Sequence, residues 1–259
     1  MFNFNTKNLL FIVIFLFATP QVNAFWGTLS KTISAISKST KVLPGHEVIK
    51  LSKLSTEIKG TVKVGKELER LKLSNEALED AFLRIAIHQK KLTRKEAEEM
   101  FLNLRGVTGF RQTLRKIVGN SETKTAGHLN ELRIAQKSNK NGFKILGIGE
   151  KFNDGLKRSS TDIDLILDKN GKKFIIEVKY YATTSKISMD NYRADLDTLI
   201  KYKNKNGNNI IPIFTITNKP KDSNYLKMLQ YEADKRGVQL IFGNPQEQIE
   251  QIKILGKIL

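Results

Sequence analysis

Between residues 160 and 181 the chain reads STDIDLILDKNGKKFIIEVKYY, two runs rich in Ile, Leu, Val and Phe on either side of Asn170-Gly171. Asn-Gly between alternating apolar residues is a strong local signal for a two-residue type I′ turn, because both turn positions need positive φ. Such a turn pairs Lys169 with Lys172 and sets the register: Asp164 falls opposite Glu177, and Asp162 opposite Lys179. Side chains alternate faces along a strand. Asp162, Asp164, Glu177 and Lys179 therefore share one face, and Ile163, Leu165, Leu167, Phe174, Ile176 and Val178 the other. The pattern predicts one packed face and one left for chemistry.

Helical spacing dominates the chain before residue 120. Trp26, Leu29, Ile33 and Ile36 form a first stripe that Pro44-Gly45 ends, and Leu51, Leu54, Ile58, Val62, Leu68 and Leu71 form a second, interrupted by Gly60 and Gly65. Ser74 caps a predicted helix over 75–90, apolar at Leu78, Ala81, Phe82, Ile85 and Ala86; Thr93 with Glu96 makes a capping box before 97–104. Gly106 and Gly109 break the pattern before a short helix over 110–118. These stripes either pack on one another or serve a partner or a membrane surface.

From residue 125 the period switches repeatedly, as in an α/β domain. The spacing predicts a helix over 127–138, with Leu129, Leu132 and Ala135 buried and Glu131 beside them, then a strand over 143–149 and a polar loop over 151–159. After the hairpin come a helix over 188–204 with Met189, Tyr192, Leu196 and Leu199 inward, a strand over 209–217, a helix over 223–236 and a strand over 238–242. Gly207 and Gly237 sit just past helix ends, where the left-handed cap conformation favours glycine.

Composition adds compartment and partner. Lys7, an apolar run over 9–18 and a Val22-x-Ala24 pattern read as an export signal over residues 1–24, cleaved after Ala24, so the expected protein is secreted or periplasmic. That apolar run is short for a stable bilayer span, an uncleaved anchor being the alternative reading, and no later stretch supplies one. The absence of cysteine leaves stability to the core. The net charge of +18 is spread over both the helical region 25–120 and the α/β region 121–259. Such an excess suits a polyanion such as nucleic acid, or an anionic membrane, and it also simply keeps a chain in solution.

Opposed strand residues bring their Cβ atoms within roughly 4.5–5.5 Å, and like charges so placed repel unless something lies between them. A divalent cation between Asp164 and Glu177, with the Lys179 ammonium nearby, answers this. An exposed sheet face with an ordinary Asp162–Lys179 ion pair answers it too. His46 and His88 have no neighbouring ligand types and receive no role.

Read in order, Gly127-x-x-x-Glu131-x-x-x-Ala135, residues 142–146 (GFKIL), Asp162-Ile163-Asp164-Leu165-Ile166 and Ile176-Glu177-Val178-Lys179 resemble the PD-(D/E)xK nuclease superfamily. The likeness runs from about residue 125 to 242 and is closest to the Holliday-junction-resolvase-like branch and to bacterial toxin nuclease modules. It implies a restriction-endonuclease-like αβββαβ core following a helical N-terminal region. It also implies a Mg²⁺- or Mn²⁺-dependent endonuclease acting on DNA or RNA. By this resemblance Asp164 and Glu177 match the metal-binding acids and the Val178 backbone carbonyl would complete the inner shell. Lys179 matches the water-orienting lysine, and Glu131 the first-helix acid holding a metal-bound water. No proline precedes the aspartate, Asp162 competes as the metal acid, and the second helix lacks the glutamine of some relatives, which leaves Asn191 and Asp195 unassigned.

Lys179 either stabilises developing charge or helps deprotonate the nucleophile. Lys151, Lys157, Arg158 and Lys186 are candidate contacts for the substrate backbone, and Tyr180 and Tyr181 for base stacking. Export favours a toxin-like effector, with an inhibitory immunity protein as partner, or a scavenging nuclease. The alternatives are a non-catalytic nucleic-acid-binding module of the same fold and a membrane-directed protein acting through its N-terminal helices.

Overall fold

The computed structural model describes residues 75–120, 122–152 and 161–258. The expected export signal, the apolar stripes before residue 74 and the cations Lys157 and Arg158 lie outside them. The described residues divide into two compact units, one holding residues 75–106 with those of 114–125, the other those of 107–113 with those from 126 on.

In the first unit, helix α1 (Asn75–His88) and helix α2 (Arg94–Leu104) bury the predicted stripes, including Leu78, Phe82, Met100 and Leu104. The Thr93–Glu96 capping box forms, each side chain bonding the other residue's backbone N–H. Helix α3 (Phe110–Gly119) contributes to this unit from Leu114 on, and Lys91 donates from Nζ to the carbonyls of Ile117 (2.6 Å) and Asn120 (2.7 Å) at its end. A cation there satisfies carbonyls that have no partner within the helix.

The second unit is mixed α/β, built on an open five-stranded sheet in the order β1-β2-β3-β4-β5. Helix α4 (Glu122–Lys140) leads into β1 (Lys144–Phe152), β2 (Thr161–Lys169) and β3 (Lys172–Lys179), which pair antiparallel. Helix α5 (Met189–Asn206) then crosses to β4 (Ile210–Ile216), and helix α6 (Ser223–Arg236) to β5 (Gln239–Phe242), both strands parallel to β3. Helix α7 (Pro245–Ile258) closes the chain, an element absent from the expected order; Asn244 caps it by accepting from the N–H groups of Gln246 and Glu247.

The hairpin register is the expected one, with Lys169 paired to Lys172 and Leu165 to Ile176. Asn170 (φ 55°) and Gly171 (φ 81°) both occupy the left-handed region that a type I′ turn requires. The division into one packed and one free face needs correction. Ile166 and Ile175, on the face of Asp164 and Glu177, are buried with Tyr192, Leu196 and Leu199 of α5. A parallel connection needs a crossover element, and here the crossover helix covers that face. On that face the buried Ile166 and Ile175 separate the Asp168–Lys173 pair near the turn from Asp164 and Glu177 at the far end.

Gly237 takes the expected left-handed cap (φ 68°, ψ 29°), whereas Gly207 (φ 120°, ψ 163°) lies beyond that region, in backbone space that glycine alone enters readily. Gly109 is held more tightly: Thr108 accepts from Ile148 N at 2.9 Å, and a Cβ at Gly109 would lie 1.7 Å from the Ile148 carbonyl oxygen. Among the described residues no helix is long and apolar enough to cross a membrane.

Candidate functional site

The site begins where the hairpin forks. The β2–β3 ladder ends at Leu165–Ile176. Two residues further it would join Ile163 to Val178, but Val178 N instead donates to Oδ2 of Asp164 at 2.8 Å. On its other edge β3 stays zipped to β4, the Lys179 carbonyl accepting from Thr217 N (3.0 Å) and Oγ1 (3.3 Å). An aspartate carboxylate thus takes the place of a strand partner, and the Val178 carbonyl lies past the last rung.

Lys179 reaches back along its own strand to Glu177, Nζ to Oε1 at 2.6 Å, and across to Asp195 of α5, Nζ to Oδ2 at 2.8 Å. Burial alone would favour the neutral amine, but Glu177, Asp195 and Asp164 together hold the ammonium well above its ordinary range. A lysine so protonated suits stabilising negative charge rather than taking a proton.

The carboxylates show the opposite strain. Removal from water, opposed by Lys179 and reinforced by Asp195 and Asp162, pushes Glu177 up to about 7. Asp164 is raised well above its usual value, first by loss of water and then by the charges of Glu177 and Glu131, against the pull of Lys179 and the Val178 N–H. The bonds described engage one oxygen of each acid, Oδ2 of Asp164 and Oε1 of Glu177. Among the described residues no group of three or more His, Asp or Glu stands ready-made as a metal cage. Two buried acids held above their ordinary range, one of them raised in part by the other's charge, nevertheless fit a hard divalent cation of the Mg²⁺ kind, which takes few carboxylates and keeps several waters.

Glu131 is buried on α4, its charge felt at Asp164, and His128 Nδ1 lies 2.9 Å from its Oε1. One residue earlier, Asn130 donates to Thr217 Oγ1 at 3.1 Å, which ties α4 to the strand end beside Lys179. The fold therefore gathers Asp164, Glu177 and Lys179, with Glu131 in electrostatic reach. Asp162 pairs in register with Lys151 of β1, while Lys179 turns to Asp195 because α5 passes over that face. Asp195 had no role assigned from sequence, and His128 was overlooked, although its position three residues before Glu131 on a helix was a visible signal.

A cleft of about 370 Å³ opens beside this group, lined by Lys179, Tyr181, Lys186, Ser188, Asn191 and Asp195. At its rim Lys186, one of the expected backbone contacts, is bridged to Asp222 at 2.6 Å. No protein-family model, curated protein or solved structure matches the chain.

Proposed function

We propose that this chain is a metal-dependent phosphodiesterase acting on nucleic acid, with its α/β unit built on a restriction-endonuclease-like core. One observation carries the reading: two mutually repelling acids, Asp164 and Glu177, share a strand fork with a protonated lysine that borders an open cleft. Asp164, Glu177 and the Val178 carbonyl would hold Mg²⁺ or Mn²⁺. When bound, the cation neutralises charge on the phosphate and lowers the pKa of water.

The chain's own groups supply the rest. The Lys179 ammonium offers fixed positive charge to a phosphate entering the cleft, in a setting where water screens it weakly. Glu131 would accept from a water at the fork, with His128 Nδ1 2.9 Å from its Oε1. The excess of basic residues attracts the polyanionic backbone from a distance. A secreted or periplasmic, toxin-like role with a restraining immunity protein remains part of this proposal.

The test is incubation of the purified chain with plasmid, linear and branched DNA and with tRNA, in Mg²⁺, Mn²⁺ or EDTA. Cleavage of at least one substrate, abolished by EDTA, is expected. Salt-sensitive binding without cleavage under any condition would favour the non-catalytic binding module instead.

A further inference from the structure

Lys179 is shared between two carboxylates that belong to different elements. Glu177 is one of the fork acids, and a cation bound there draws on the same carboxylate that the ammonium holds. Asp195 has no part in the fork. It stands on α5, partly exposed, and lines the cleft beside Lys179.

The helix carrying Asp195 is fixed on either side of it. Tyr192 donates from its hydroxyl to the Leu229 carbonyl at 3.0 Å, Arg193 reaches Glu232 at 2.9 Å, and Asp197 receives Arg236 at 2.7 Å, all across to α6. The turn of α5 that carries Asp195 is therefore tied to α6 on both sides of it.

We infer that Asp195 is a positioning residue that anchors the Lys179 ammonium, so that Glu177 is released to a divalent cation without Lys179 leaving its place. The inference rests on the metal-dependent reading above. Its physical basis is competition: an ammonium 2.6 Å from Glu177 is an internal rival for the carboxylate, and a second anion beside that ammonium weakens its need for Glu177. Without Asp195, Lys179 keeps its direct bond to Glu177.

Mn²⁺ binding measured by calorimetry on the full chain tests this, with circular dichroism and melting recorded for every variant. Asp195→Asn is expected to weaken Mn²⁺ binding about 10-fold or more, as loss of supporting contacts around a metal site commonly does, while the fold is unchanged. Asp195→Glu should restore much of the loss. The double variant Asp195→Asn/Lys179→Met should bind Mn²⁺ no more weakly than Lys179→Met alone, because the effect passes through the ammonium. Wild-type affinity in folded Asp195→Asn overturns the inference, as does a loss that persists in full in the Lys179→Met background. A wild-type chain that takes up no Mn²⁺ overturns the metal-dependent reading itself, and the inference with it.

Discussion

Val178 gives its backbone N–H to the Asp164 carboxylate at 2.8 Å, at the rung where β2 would otherwise offer the Ile163 carbonyl. One side chain thereby ends a ladder, spaces two strands and aims a charged group into the gap. It also separates the two aspartates of the Asp162-Ile163-Asp164 stretch, since Asp164 is bonded inside the fork and Asp162 remains beside Lys151.

Asp164→Asn should leave the fold intact, because an amide oxygen still accepts from Val178 and a repelling charge is gone. Cleavage should fall by about 100-fold or more, the usual scale for removing a preorganised charge from a reacting centre. Asp162→Asn should cost clearly less. Initial rates on the same substrate, with melting curves for both variants, check the order; the reverse order would transfer the metal role to Asp162.

Glu177 makes metal-free stability depend on pH. Its folded value of about 7 exceeds the ordinary 4.5, so the folded chain holds this proton more tightly than the unfolded one. The resulting stabilisation is full below about 4.5 and is lost as pH rises through 7, and the raised Asp164 acts in the same direction. In EDTA, Glu177→Gln should therefore gain in melting temperature relative to wild type as pH goes from 5 to 8. A constant difference across that range would count against the buried, repelling pair.

Lys179→Met removes the cation among three acids but only one charge from a strongly basic chain. Binding of a labelled oligonucleotide in EDTA should stay within about threefold of wild type and retain its steep salt dependence. Turnover in Mg²⁺ should drop by about 100-fold or more. Equal losses of binding and turnover would make Lys179 a substrate-holding cation.

Gly109→Ala should destabilise the α/β unit by about 3 kcal/mol or more, since the new methyl meets the Ile148 backbone and the residue must also hold a positive φ of 89°. Urea unfolding measures this. Gly106 also has positive φ but meets nothing within 4 Å, so Gly106→Ala is the control for conformational strain alone.

Local chemistry was legible in the chain because it acts over a few residues. Asn170-Gly171 determined the turn and, through it, the register from Lys169–Lys172 to Leu165–Ile176 that carries Asp164 and Glu177 to the fork; Thr93 and Glu96 determined a helix start; period-2 and helical spacing marked most of the strands and helices. What the tertiary structure decided involves partners far apart in sequence, where no period or turn links them. The crossover of α5 buried Ile166 and Ile175 on the face that alternation alone left open, and it delivered Asp195 to Lys179. The approach of α4 set Glu131 in reach of Asp164. The fork itself arose because a carboxylate competed with a strand for one N–H, a contest that depends on where β2 and β3 diverge in space.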